Sequence, residues 1–272
     1  MKVALGQFAV APDWTDNQRT CLDLIARAKA EAADLLVLPE GVLAQDINNP
    51  EIMPRTAQPL DGPFMTQLVA AARGIVVMGC VNVPDGEGRF HNTLFILRDG
   101  AIAASYRKLH LYDAFSARES ERTAPGDALP PVVEIAGMKV GVMTCYDLRF
   151  PELARALAVG GAEVIVTPAA WFRGPNKERH WEVLNVARAL ENTCYVVAVG
   201  ECGPRNIGQS MVVDPLGVIA LSLGEAPGLG VATLARERLA HARAILPVLD
   251  NRRFADPVLK PPRSAPAAEP RA

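Results

Sequence analysis

Short apolar runs rich in β-branched residues recur along the chain, over 2–9, 34–39, 74–82, 91–98, 101–107, 138–144, 162–167, 194–201, 208–214 and 217–222. Each has the length of a strand, and stretches with helical spacing lie between several of them. Residues 17–33 place Leu22, Ile25 and Ala26 on one face, and residues 177–192 repeat Val183, Val186, Ala187 and Leu190. The alternation predicts an α/β fold. Two hairpin signals interrupt it, Arg98-Asp-Gly100 and Asp214-Pro-Leu-Gly217, so some strand pairs are expected to be antiparallel and the sheets mixed. A purely parallel dinucleotide-binding sheet is disfavoured, because no Gly-x-Gly-x-x-Gly fingerprint follows the first strand.

Two of these runs end on reactive residues. Asp34-Leu-Leu-Val-Leu-Pro39 is apolar apart from its first residue, and it delivers Glu40 at the carboxyl edge of a buried strand. Met138–Thr144 delivers Cys145, and Tyr146–Leu153 then reads as a helix with Pro151 near its first turn. At such a strand-to-helix elbow a thiol meets backbone N–H groups and the positive end of a helix dipole, which favour thiolate. The plain alternative is an inert core cysteine. Lys108, at the end of the run 101–107, adds a cation. A thiol that attacks an amide carbonyl needs a base, donors for the oxyanion, and an acid for the departing amine. Glu40 can serve as base and acid, with its proton affinity raised by a dry pocket and tempered by Lys108, while Lys108 and the Tyr146 N–H can hold the oxyanion.

Composition narrows the partners. The 272 residues are 50% hydrophobic and 21% charged, with a formal net charge of −2, which suits one sizeable core and gives no basic footprint for nucleic acid or an anionic membrane. Five cysteines, an odd number in a long chain with no secretory signal, argue against a disulfide framework; no pair is Cys-x-x-Cys, and the four histidines form no ligand motif. No metal or other cofactor is expected. The start of the chain is too quickly polar for a signal peptide, and no apolar run reaches the roughly 18 residues of a membrane span, so a cytoplasmic protein is expected. One domain over 1–258 and a disordered Pro- and Ala-rich tail over 259–272 complete the expected organisation.

Leu38-Pro-Glu40, Tyr106-Arg-Lys-Leu-His110 and Met143-Thr-Cys-Tyr-Asp-Leu-Arg-Phe-Pro-Glu-Leu153 together resemble the Glu, Lys and Cys signatures of the nitrilase superfamily of carbon–nitrogen hydrolases. The resemblance implies a four-layer αββα sandwich with two mixed sheets, a triad at Glu40, Lys108 and Cys145, and a second glutamate. That glutamate falls on Glu119, with Glu121 a near neighbour. Leu109–Phe115, Pro168–Pro175, Asn206–Ser210 and Leu246–Phe254 are similar to the bacterial deaminated-glutathione amidases of the Nit type. That subgroup implies a small-molecule amide as substrate, cleaved to 2-oxoglutarate and cysteinylglycine. Omega-amidase, nitrilase and N-carbamoyl hydrolase chemistry remain alternatives within the family. Arg173 beside Trp171 is the expected carboxylate clamp, because a guanidinium presents a planar fork. The resemblance and the apolar stripe over 177–192 also predict a homodimer or higher oligomer, formed through 152–159 and 177–192. Two rivals stand beside this reading: a Cys-His hydrolase using His110 or His180, and a catalytically silent binding protein on the same fold.

Overall fold

The apolar runs pair into two six-stranded sheets. The computed structural model describes residues 1–46, 48–49 and 51–260, so the expected tail lies outside the described residues from position 261 onward. The first strands are β1 (Lys2–Gln7), β2 (Leu35–Val37), β3 (Val76–Pro84), β4 (Phe90–Arg98) and β5 (Ala101–Arg107). There follow β6 (Val132–Ile135), β7 (Met138–Val142), β8 (Val164–Ala169), β9 (Tyr195–Gly200), β10 (Met211–Val213), β11 (Ile219–Ser222) and β12 (Gly228–Thr233). The helices are α1 (Trp14–Ala30), α2 (Ile52–Thr56), α3 (Pro63–Ala71), α4 (Pro151–Val159), α5 (Lys177–Asn192) and α6 (Arg236–Ile245).

One sheet runs β12-β1-β2-β3-β4-β5 and the other β11-β10-β9-β8-β7-β6. In each, three central strands are parallel and the outer pairs antiparallel, as the mixed-sheet expectation requires. The two sheets share one topology, with β1 to β5 plus β12 answering to β7 to β11 plus β6. Both expected hairpins form. Asp99 and Gly100 adopt φ of 52° and 77° between β4 and β5, a pair of left-handed conformations that a two-residue turn needs. Between β10 and β11 the Asp214 carboxylate accepts from Leu216 N and Val218 N, both at 2.9 Å.

Alternation along each central strand sorts its side chains into layers. Val3, Leu5, Leu35 and Val37 face Val140, Val142, Val164 and Val166 across the space between the sheets. Ala4, Leu36 and Leu38 point the other way and pack on Leu24 and Ile25 of α1 and Phe64 and Leu68 of α3. On the far side Ile165, Val196 and Ala198 pack on Leu153 and Leu157 of α4 and Trp181 and Ala189 of α5. The order helix, sheet, sheet, helix is the expected four-layer sandwich.

Two helix faces differ from expectation. In α1 Ile25 is buried, but Leu22 is only half-buried and Ala26 is exposed, because the buried stripe runs through Cys21, Leu24, Ile25 and Ala28. In α5 the inward stripe is Trp181, Asn185, Arg188, Ala189 and Asn192. The apolar stripe read from sequence points outward, with Val183 50% and Leu190 37% exposed. The inward polar residues are tolerable because they find backbone partners: Asn185 donates to Trp181 O, Arg188 to Leu148 O, and Asn192 to Arg188 O.

Candidate active site

The ends of β2, β5, β7 and β8 converge at one edge of the sandwich. Past β2 the chain keeps its register on β3, with Leu38 N donating to Met78 O at 2.8 Å and Val42 N to Cys80 O at 3.0 Å. Glu40 is therefore held in a buried turn, only 6% exposed. Lys108 follows β5 directly; its N–H donates to Asn92 O and its carbonyl accepts from Gly126 N, both at 2.9 Å. The Lys108 Nζ lies 2.9 Å from Glu40 Oε1 and 2.9 Å from Glu119 Oε2. Asn92 donates to Glu40 Oε1 and Ala170 N to Glu40 Oε2, each at 2.7 Å. Glu119 is fixed in turn by Tyr112 N at 2.6 Å. Glu121 is exposed and takes no part, so the second glutamate of this cluster is Glu119.

Cys145 sits at the expected elbow, but the helix does not begin there. A short 3₁₀ segment, Cys145–Arg149, intervenes before α4 starts at Pro151. Thr144 caps that segment through a reciprocal capping box with Asp147, and Cys145 itself has φ of 44°. A non-glycine residue in that region is strained, and the surroundings must hold it there. Asp147 does much of the holding. It is fully buried and accepts from Thr144 N at 2.9 Å, Tyr106 OH at 2.8 Å, His110 N at 3.1 Å and His110 Nδ1 at 2.7 Å. Tyr106 and His110 lie two residues either side of Lys108, so one carboxylate ties the lysine's strand end to the cysteine's elbow.

Electrostatics set the resting protonation. Burial alone would raise the Glu40 pKa, but the Lys108 ammonium and hydrogen bonds from Lys108, Cys145 and Ala170 outweigh it and hold the carboxyl below its ordinary range. The raised pKa expected for Glu40 is thereby reversed. Burial likewise works against charge on Lys108, yet Glu119 and Glu40 carry its pKa well above the ordinary lysine value. For Cys145, burial and the neighbouring Glu40 carboxylate push the thiol well up, and Lys108 only partly opposes them. In place of the thiolate expected from the elbow alone, the neighbouring charges favour a neutral thiol beside an ionised carboxylate. Two carboxylates against one ammonium leave a net negative environment, which outweighs the partial charge of one helix turn.

A cavity of about 300 Å³ opens over these groups. Tyr146 and Trp171 line it as expected, together with Tyr112, Arg149, Phe172, Lys177 and Arg205. Arg173 does not line it. Its guanidinium pairs with Glu225 at 2.9 Å, and its backbone N–H is tied to Arg205 O at 2.7 Å. Arg205, across that pairing, faces the cavity instead, with its guanidinium 5.3 Å from the Phe172 ring centre. Neither rival histidine lines the cavity: His110 turns to Asp147 and stacks on Phe150, and His180 faces Arg149. Sequence reasoning missed Asn92, Arg149 and Lys177. The available signals were weak: one polar residue within an apolar strand run, an arginine four positions past the nucleophile, and a lysine opening a helix where cations are disfavoured.

Comparison with known proteins agrees with this geometry. The sequence model of the family described as Carbon-nitrogen hydrolase matches residues 2–244. The chain belongs to the carbon–nitrogen hydrolase family. It is 49% identical over 261 residues, 95% of its length and all of the relative's, to the deaminated glutathione amidase of Escherichia coli O157:H7. A Saccharomyces cerevisiae member of branch 10 of the nitrilase superfamily superposes with a TM-score of 0.82 at 30% identity, covering 93% of this chain and 97% of the other. A Glu-to-Gln mutant of the amidase from Nesterenkonia sp. AN1, whose active-site cysteine carries the acetamide moiety of fluoroacetamide, gives a TM-score of 0.79 at 29% identity, covering 93% and 94%. This carbon–nitrogen hydrolase is accordingly a member of the nitrilase superfamily, and among its described residues no helix is long and apolar enough to cross a membrane.

Proposed function

We propose that the enzyme hydrolyses the amide of deaminated glutathione through a thioester on Cys145, releasing cysteinylglycine and then 2-oxoglutarate. The observation that carries the chemistry is the buried Glu40–Lys108–Glu119 cluster on the wall of the cavity that also holds Cys145. Glu40 takes the Cys145 proton as sulfur bonds to the amide carbon. The carbonyl oxygen, now negative, is met by the Lys108 ammonium and the Tyr146 N–H. Collapse breaks the C–N bond as Glu40 returns the proton to the departing amine. Glu40 then draws a proton from water, whose oxygen attacks the thioester, and the sulfur leaves as the thiol. Glu119 keeps Lys108 charged and aimed.

The substrate assignment rests on the relationship to the Escherichia coli amidase and on the cationic wall of the cavity. Arg149 takes the place expected of Arg173. Its guanidinium carbon lies 4.7 Å from the Trp171 ring centre and one terminal nitrogen 3.4 Å from His180 Nδ1, and on the cavity wall it is the cation best placed to receive a carboxylate. Assays of deaminated glutathione, glutamine, simple nitriles and N-carbamoyl amino acids, with 2-oxoglutarate and ammonia measured, test this reading. Deaminated glutathione is expected to give the highest kcat/KM. Arg149→Ala should raise KM with kcat nearly unchanged, lowering kcat/KM on the order of ten- to a hundredfold, while Arg173→Ala should be close to neutral. A better nitrile or carbamoyl substrate would overturn the assignment. We further place the enzyme in the cytoplasm, where its five free cysteines suit a reducing compartment. The outward apolar stripe of α5 supports a homodimer.

A further inference from the structure

Lys177 is an uncomfortable residue in the resting protein. It is 5% exposed, it opens α5 at the positive end of the helix dipole, and it stands beside the Arg149 guanidinium. Burial and Arg149 both lower its pKa. Its Nζ donates to Tyr112 OH at 2.8 Å and lies 3.6 Å from the centre of the Phe115 ring. Among the described residues neither Lys177 nor Arg149 forms an ion pair with a carboxylate, and the buried Arg149 Nε has no hydrogen-bond partner. The position is nevertheless built firmly, because Trp171 Nε1 donates to Lys177 O at 3.0 Å. Two adjacent cations with spare donors, on the wall of the cavity that holds Cys145, are arranged for an anion rich in acceptor oxygens.

We propose that Lys177 is a specificity-determining residue that donates to the 2-oxo oxygen of the substrate and rejects the corresponding 2-amino compound. The inference rests on the deaminated-glutathione reading above. A 2-oxo acid presents two carboxylate oxygens and a ketone oxygen, all acceptors. The Arg149 fork takes the carboxylate, and the remaining Lys177 donors take the ketone oxygen and its neighbour. Intact glutathione carries an ammonium at that carbon. It would bring a third positive charge beside Arg149 and Lys177, so attraction at that wall becomes repulsion. The pocket thereby separates a ketone from an amine by charge, which shape alone could not do at similar size.

The test compares deaminated glutathione, glutathione and glutaryl-cysteinylglycine, which has a bare methylene at the same carbon, on wild type, Lys177→Met and Lys177→Arg. In wild type the 2-oxo substrate should lead and glutathione should be the poorest. Lys177→Met should lower kcat/KM for the 2-oxo substrate about ten- to a hundredfold, mostly in KM, and should cost the methylene substrate less. Glutathione should not lose activity, so the 2-oxo to 2-amino ratio falls at least about tenfold. Lys177→Arg should restore part of that ratio. Removing an uncompensated buried cation should also raise the Tm of Lys177→Met, by about 2 °C or more. An unchanged ratio, with all three substrates falling equally, overturns the role of Lys177 while leaving the amidase reading standing. Wild type that turns over none of the three overturns both.

Discussion

At the scale of the residue, the site is a balance of three charges around a neutral thiol. Glu40 is held below the ordinary carboxylate pKa and Lys108 above the ordinary lysine pKa. Activity that needs carboxylate and ammonium together should be lost as pH falls through the depressed Glu40 value, below about 4.3, and as pH rises through the raised Lys108 value, above about 10.4. Their contributions to stability follow the same signs. Glu40 stabilises above its unfolded pKa and loses that effect in acid; Lys108 stabilises below its unfolded pKa and loses it in strong base. The kcat/KM profile should thus be flat between about pH 5 and 8, where a histidine base would show a limb. Lys108→Met should cost roughly 10²- to 10³-fold in kcat and move the acid limb upward, since burial of Glu40 then meets only the remaining hydrogen bonds, without the ammonium. A neutral limb in wild type would restore the histidine reading. Glu40 and Cys145 stood out in the sequence because each follows an apolar strand run, whereas Lys108 stood out through its combination with them in the family's three ordered motifs. The sign of the Glu40 shift was hidden, because it depends on three groups, Lys108, Cys145 and Ala170, that come from distant segments.

At the scale of the element, the elbow and the end of β5 form one unit through Asp147. Its carboxylate accepts from Thr144, Tyr106 and His110 in a buried setting. Asp147→Ala leaves a buried hydroxyl and a buried amide unpaired, each costing about 1–3 kcal/mol, and frees both the strained Cys145 and the Lys108 strand end. Urea unfolding should show a loss of about 2 kcal/mol or more, with kcat falling far more than KM rises; Asp147→Asn should be milder on both counts. Equal loss in kcat and substrate affinity would argue against a bracket between the two catalytic elements. The same long-range pairing explains which elements the sequence concealed. β12, Gly-Leu-Gly-Val-Ala-Thr, has two glycines and little β propensity, and it becomes a strand by six-residue register against β1. β6 follows a Pro-Pro pair and carries a glutamate, so its short run gave no strand signal. The bounds of α5 were legible at 177–192, but not its rotation: Trp181 and hydrogen-bonded polar groups turn inward, leaving the valines outside.

At the scale of the whole molecule, that outward stripe and the shared core make two separate claims. Val183 and Leu190 lie exposed on α5, beside the half-buried Val186 and Ala187. Light scattering should give at least twice the 29.1 kDa chain mass, and Val183→Glu with Leu190→Glu should shift it toward monomer; a clean monomer in wild type would reject the dimer. The sandwich brings Glu40, Lys108, Glu119 and Cys145 together from four separate parts of the chain, and everything else argued for the site depends on Cys145 being the atom that bonds to substrate. Rapid-quench mass spectrometry of the wild-type enzyme turning over deaminated glutathione reads that directly. A 2-oxoglutaryl mass on the peptide containing Cys145, absent in Cys145→Ala together with activity, is the predicted result; acylation at the neighbouring buried Cys80, or turnover that survives Cys145→Ala, would contradict it.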